Sequence, residues 1–189
     1  MLEKKLQKKH LIILRRGEPA TDNVLNQPIL LGQEILKIKT KTSTPGECLF
    51  LDPSSKLCTI HEQRPLECSL LECWNPRPLM ESYQSRRLTR KDLFQPESAM
   101  EEIVDMHEEH CSVLKMARLL REEIQEPGKN REAIQSMISF DRSLRQNFQD
   151  KTGLQDSEML FYFGRPLQDL MQPLSTYLRK YQLSTDLPE

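Results

Sequence analysis

The sequence predicts an α+β fold that is predominantly helical, in which a small cysteine-bearing hairpin and turn region packs on a C-terminal bundle of three to four helices. Short apolar runs separated by turn residues fill the first third of the 189-residue chain, whereas apolar residues recur at helical spacing after Leu88. Pro76 and Pro78 mark the boundary between the two patterns. We expect a cysteine-cluster region at residues 1–83 and a helical region at 84–189, which together form one compact domain.

The first region contains two candidate strands and a candidate hairpin. Residues 11–14 form an apolar run, and residues 36–39 alternate apolar side chains with lysines, which indicates a half-buried strand. Two further apolar runs flank residues 52–55 (Asp-Pro-Ser-Ser), where the proline presets φ and the aspartate can accept backbone hydrogen bonds. The predicted hairpin places Cys48 and Cys58 on its two arms.

Helices are predicted from Pro65 onward. Pro65 favours the start of a short helix that carries Cys68, with Cys73 at its end. A run from Pro96 to about Gln125 has one apolar face and predicts a single long helix. A second amphipathic helix is predicted from about 131 to 149, and the apolar segment 158–183 is interrupted by Gly164, Pro166 and Pro173.

Composition and charge exclude several classes of protein. Twenty-seven basic residues face 28 acidic ones, a net charge of −1, so no overall basic field indicates a nucleic-acid partner. The clusters of basic residues at 4–9 and 86–91 are expected to be solvated surface, because no aromatic residues alternate with them. No apolar stretch approaches the roughly 18 residues that a membrane span needs, and the N-terminus lacks the apolar core of a signal peptide. We expect a cytoplasmic protein that binds neither membrane nor nucleic acid.

Four of the five cysteines, at positions 48, 58, 68 and 73, fall within 26 residues. In a reducing compartment, clustered cysteines are more often metal ligands or redox groups than disulfides. A structural zinc site and an iron–sulfur cluster each need about four such ligands. The spacing contains no Cys-x-x-Cys, which argues against a zinc ribbon or finger, and buried, inert thiols are the alternative. We predict a zinc or iron–sulfur site with Cys48, Cys58, Cys68 and Cys73 as ligands.

His107 and Cys111 are possible additional ligands. They are four residues apart, so they lie on one helix face and could both point at one ion. The alternative is that both belong to the apolar stripe that packs on the core. The sequence His107-Glu108-Glu109-His110 does not fit a zinc protease, whose two histidines are four residues apart.

Several charged residues have either a functional or a structural interpretation. Arg64 lies between Cys58 and Cys68, where its charge could offset thiolate charge and tune a bound cofactor. The turn motifs around Arg15 and Arg165 could hold an anion, but a structural ion pair is the better interpretation. Asp141 falls on an apolar stripe and needs a partner, for which Arg145 is placed one turn later.

Residues 48–74 resemble the cysteine-cluster proteins of the YkgJ family, whose domain is described as zinc- or iron-chelating. The pattern C-x-F-L-D-x5-C-x-I-H-x-x-R-P-L-E-C-x-L-L-E-C-W carries the likeness, with His61 where the family usually has tyrosine. The resemblance extends through LRRGEP (14–19), EILKIK (34–39), LTRKDL (88–93), HEEHC (107–111) and FGRPL (163–167).

The chain departs from that family at its start. The family usually begins with Cys-x-x-Cys-x-x-Cys-Cys before the LRRGEP region, but no cysteine precedes Cys48. Either a first cysteine group lies upstream of residue 1, or the site has lost half of its ligands. Two other functions stay open: a protein-modifying enzyme related to flagellin lysine N-methylase, although no methyl-donor motif is present, and a metal-free degenerate module that binds an unknown protein partner through its helices.

Overall fold

The computed structural model describes residues 6–22, 26–44, 46–72, 74–82, 87–95 and 97–182. Its strands form two antiparallel pairs. β1 (Leu11–Leu14) pairs with β4 (Ile35–Ile38), with Leu11 opposite Ile38, and β2 (Pro19–Asp22) pairs with β3 (Gln27–Leu30). The β1–β4 pair confirms the two predicted strands. The β2–β3 pair was not predicted, because its residues lack the apolar alternation that marks a strand.

The cysteine-bearing segment folds into turns and two short helices. Leu51 and Cys58 form an isolated β-bridge across the turn at residues 52–55, so the chain reverses where the sequence predicts it. The residues on either side of the turn do not extend this bridge into β-strands. Two short helices follow, α1 (Leu66–Leu70) and α2 (Arg77–Ser82). Pro65 is the N-cap of α1, and this confirms the predicted helix start to within one residue.

The single helix predicted after Pro96 is two helices in the structure. α3 (Ala99–His110) ends with Cys111 as its C-cap, and α4 (Val113–Gln125) begins at the N-cap Ser112. The side chain of Ser112 accepts a hydrogen bond from the backbone N–H of Lys115, which satisfies a donor at the new helix start and allows the chain to turn there. Because of this break, His107 lies in α3 whereas Cys111 lies outside both helices.

Three more helices complete the C-terminal part. α5 (Arg131–Thr152) agrees with the predicted second helix and ends at Gly153, whose φ of +70° suits glycine. The final apolar segment forms α6 (Asp156–Phe163) and α7 (Leu167–Tyr177). The described chain therefore has five α-helices after residue 97, followed by a π-helical turn at Leu178–Gln182, which is more than the three to four helices predicted but within the predicted fold class. None of these helices is long and apolar enough to cross a membrane.

The apolar core lies in the helical part and has two sections. One is formed by α4, α5 and α7, with Met116, Leu170 and Leu174 fully buried. The other packs α6 against β1 and includes the fully buried Phe161 and Phe163. The four strands and the helices α3–α7 thus form one folded body, and the cysteine-bearing turns lie outside its core.

Candidate metal centre and the buried ion-pair network

The turn that Asp52 organises lies between the two chain segments that carry Cys48 and Cys58. The Asp52 Oδ1 atom accepts hydrogen bonds from the backbone N–H groups of Ser54 and Ser55, at 3.0 and 2.7 Å. These bonds reverse the chain, as the sequence predicts. Leu51 then donates its N–H to the carbonyl of Cys48 at 3.0 Å and forms a bridge with Cys58. Leu51 therefore links the two chain segments that carry Cys48 and Cys58, which are ten positions apart in the sequence.

Cys68 lies in α1, and its thiol interacts electrostatically with the other two. Partial burial raises the pKa of the Cys68 thiol, and negative charge on Cys48 and Cys58 raises it further. Cys48 and Cys68 are exposed and Cys58 is half-buried, and all three are free thiols. Cys73, the fourth predicted ligand, lies outside the described residues. The three described thiols are thus close enough to interact electrostatically, whereas the group of three donor atoms spaced for one metal ion in the described residues is a different one, formed by His107, Cys111 and Asp141.

Arg64 lies beside this group. The positive charge of Arg64 opposes the rise in the pKa of Cys68, so the guanidinium is close enough to stabilise a thiolate there. Its Nη1 atom contacts the Nε2 atom of His61, and its Nε atom is buried without a hydrogen-bond partner in the described chain. This position agrees with the one expected from the sequence, and the effect of Arg64 on a bound metal stays a prediction.

His107, by contrast, is fully buried and already has partners on both ring nitrogens. Nε2 lies 2.7 Å from Oδ1 of Asp141, and Nδ1 lies 3.3 Å from Nη1 of Arg15. Burial is the largest cause of a lowered pKa, about 4, for His107, with the positive charges of Arg15 and Arg145 acting in the same direction. The ring is therefore neutral at physiological pH and bridges a carboxylate and a guanidinium.

Asp141 is the hub of this network. Its Oδ1 also accepts from Nε of Arg145 at 2.8 Å, and its Oδ2 accepts from the backbone N–H of Leu167 at 2.8 Å. Although burial opposes ionisation, the hydrogen bond with His107 and the charge of Arg145 hold the pKa of Asp141 well below its usual range. The predicted Asp141–Arg145 pair is confirmed, and the structure adds His107 as a second partner.

The two arginine-bearing turn motifs pair with each other through Glu18. Its Oε1 accepts from the backbone N–H of Arg15 at 2.9 Å, and its Oε2 accepts from Nε and Nη2 of Arg165 at 2.9 and 2.6 Å. Glu18 is fully buried. The interpretation of these motifs as a structural ion pair is confirmed, and they belong to the same network because Arg15 also contacts His107.

Arg90 corrects one expectation from the sequence. We expected residues 86–91 to be solvated, but Arg90 is only 2% exposed. Its Nε lies 3.1 Å from Oε2 of Glu34, and its Nη2 donates to Glu108. Two partly exposed carboxylates, one just before β4 and one in α3, therefore pair with this buried arginine, and its neighbours in sequence give no sign of the pairing.

Cys111 completes a group of three donor atoms in the core. The donor atoms of His107, Cys111 and Asp141 lie within 4.8 Å of one another. However, the nitrogen and oxygen atoms of this group already have hydrogen-bond partners, and the guanidinium groups of Arg15 and Arg145 would repel a cation. Burial raises the pKa of Cys111 to about 12, which keeps the thiol protonated. The environment therefore suits a packed polar core better than a metal ion.

Comparison with known protein families identifies the segment that contains both groups. A family model named CxxCxxCC, described as "Putative zinc- or iron-chelating domain", matches residues 24–112. Residues 24–112, which are 89 of the 189 residues of the chain, are therefore similar to this family. No curated protein and no solved structure matches the chain.

The matched segment includes the cysteines but excludes most of the residues of the buried network. Residues 24–112 contain all five cysteines and His107, and the family description agrees with the resemblance seen in the sequence. Five side chains of the network lie outside the matched segment: Arg15, Glu18, Asp141, Arg145 and Arg165. The chain also lacks the Cys-x-x-Cys spacing that gives the family its name.

Proposed function

We propose that the CxxCxxCC domain of this chain binds zinc or an iron–sulfur centre through the thiolates of Cys48, Cys58, Cys68 and Cys73. The observation that supports the proposal is the electrostatic interaction of the Cys68 thiol with both Cys48 and Cys58, whose chain segments are linked through Leu51. Thiolates are the ligands that zinc and iron–sulfur clusters share, and all three described thiols are free.

The charges around the cysteine group fit a thiolate site. Several thiolates in one place repel one another, which is why Cys48 and Cys58 raise the pKa of Cys68. A bound cation removes that repulsion, and the nearby Arg64 offsets part of the remaining negative charge. We therefore assign Arg64 to tuning the centre and not to direct ligation.

We propose a structural role in the core for His107 and Cys111. Metal binding would have to break the His107–Asp141 hydrogen bond and would place a cation beside the guanidinium groups of Arg15 and Arg145. An exposed group of free thiols needs no such rearrangement. The centre is thus assigned to the exposed cysteines, although all five cysteines lie in the matched domain.

Anaerobic purification followed by metal analysis and absorption spectroscopy tests this proposal. Bound iron with charge-transfer absorption would identify a cluster, and a colourless protein with about one zinc per chain would identify a zinc site. Cys68→Ala is expected to abolish metal binding. The matched control Cys111→Ala is expected to retain it. Retention of full metal occupancy by Cys68→Ala, or folded Cys111→Ala protein without metal, would contradict the ligand assignment.

A further inference from the structure

The segment around the cysteines has almost no apolar interior of its own. We define the cysteine lobe as residues 46–72 and 74–82. Within it, Ile60 is the single buried side chain among the described residues. Six large apolar residues of the lobe are exposed instead: Leu49, Leu57, Leu66, Leu71, Trp74 and Met80. Burial of apolar surface is the main source of folding free energy, so the lobe lacks the usual means of holding its own shape.

The secondary structure of the lobe cannot compensate for this deficit. α1 has five residues and α2 has six, whereas isolated helices shorter than about 12 residues are marginal in water. Both helices pack mainly on each other and make no extensive contact with α3–α7 in the part of the chain that the structure describes. The body formed by α3–α7 and β1–β4 has two apolar core sections of its own.

We propose that metal binding orders the cysteine lobe, while the helical body folds without metal. The inference rests on the proposed thiolate centre and adds a consequence to it. Metal–thiolate bonds would cross-link the two arms of the hairpin and α1, replacing the apolar core that the lobe lacks. Metal occupancy would then decide whether Leu66, Leu71 and Trp74 are held in a fixed arrangement or belong to an unfolded segment.

The chain provides two local readouts for this coupling. Trp74 is the single tryptophan of the protein, lies in the lobe and is 83% exposed, so its fluorescence reports on the lobe alone. Glu62, Glu67 and Glu72 in the lobe are cleavage sites for a glutamate-specific protease. Glu109 in α3 and Glu122 in α4 are internal controls in the helical body.

The experiment uses the full chain, with Zn²⁺ alone as the probe, before and after chelation. Chelation is expected to raise cleavage at the lobe sites by about tenfold or more and to lower the fluorescence anisotropy of Trp74, while cleavage at the control sites and most of the far-UV helical signal stay unchanged. Added Zn²⁺ should restore protection. Cys68→Ser is expected to behave like the chelated protein with or without Zn²⁺, and Cys111→Ala like the unmodified chain.

Each other outcome contradicts a specific statement. If metal analysis finds no metal bound even after Zn²⁺ is added, the proposed thiolate centre is wrong. If Zn²⁺ binds but lobe cleavage and Trp74 anisotropy do not change on chelation, the centre stands and the coupled ordering is wrong. If chelation exposes lobe and helical sites together, the metal is needed by the whole fold, which also overturns the inference.

Discussion

At the scale of single residues, the central feature of the molecule is a set of buried charges joined through Asp141. Arg15 is fully buried, and its Nε and Nη2 atoms have no hydrogen-bond partner in the described chain. Its Nη1 atom lies 3.7 Å from Oε1 of Glu108, which balances the positive charge, and also contacts the neutral ring of His107. Buried ion pairs contribute little net stability when complete, but the loss of one partner leaves an uncompensated charge in the core.

The first prediction follows from that asymmetry. Asp141→Asn removes the anion between Arg145 and His107, and we expect it to lower the free energy of unfolding by about 3 to 5 kcal/mol. Urea denaturation monitored by far-UV circular dichroism measures the change. Asp105→Asn is the matched control: Asp105 pairs with Lys91 at 2.6 Å, but both side chains are about half exposed, so a loss below about 1 kcal/mol is expected. Equal losses of unfolding free energy in both variants would show that the buried network stabilises the fold no more than an exposed ion pair does.

The second prediction concerns His107 and pH. Burial lowers its pKa to about 4 in the folded protein, from an ordinary value of 6.5. Between these values the unfolded chain binds the proton more readily, so stability falls as pH falls. We expect metal-free protein to lose about 2 kcal/mol between about pH 7.5 and about pH 5. The carboxylates of Glu108 and Asp141 also have lowered pKa values, but the stabilisation they give is lost only below their ordinary values of 4.5 and 3.8.

Urea titrations at a series of pH values test this second prediction. Of the groups around the ring, Asp141 has a pKa held well below that range and Cys111 has a pKa raised to about 12, so neither changes its charge within it. His107→Gln can still donate to Asp141 but does not titrate, so its stability should change by less than about 0.5 kcal/mol over the same range. A variant that keeps the full pH dependence would show that another group is responsible.

At the scale of elements, the sequence was sufficient to predict those strands, turns and helices that depend on residues close together in the chain. The apolar run at 11–14, the Asp52 turn and α5 follow from side-chain alternation, turn chemistry and helical periodicity. The break between α3 and α4 was missed because a single capping serine, Ser112, interrupts an otherwise continuous apolar stripe. Such a stripe continues across a helix break when both helices face the same core, so periodicity alone cannot locate the break.

The third prediction tests how the β1–β2 connection packs on the start of α4. A Cβ atom at Gly17 would lie 2.6 Å from the backbone nitrogen of Leu114, and the φ of Gly17 is +89°. Gly17→Ala must therefore displace backbone, and we expect a loss of about 3 kcal/mol or more. Gly153, at the end of α5, also has a positive φ but has open space around its Cβ position. Gly153→Ala should cost only about 1 kcal/mol, and thermal unfolding of the two variants compares them. Similar melting temperatures would contradict the close packing.

At the scale of the whole molecule, the described chain consists of the cysteine lobe and of a body, formed by β1–β4 and α3–α7, that contains the apolar core. The body is fixed by contacts between distant motifs, such as Glu18 with Arg165, which are 147 positions apart. No sequence spacing indicates such a pair, so only the need of each buried charge for a partner was predictable. The cysteine group was predictable because its members lie close together in the sequence. The assignment of Cys111 to the body, and not to that group, required the structure.

This division predicts two classes of cysteine reactivity. In metal-free native protein, N-ethylmaleimide should modify Cys48, Cys58 and Cys68, whereas fully buried Cys111, with a pKa raised to about 12, should react at least about 100-fold more slowly. Zn²⁺ should protect the lobe cysteines, and urea should expose Cys111 to rapid modification. Peptide mass spectrometry assigns the rate to each site. Rapid native labelling of Cys111 would contradict its place in the core, and unchanged labelling of Cys68 after Zn²⁺ addition would contradict the thiolate centre.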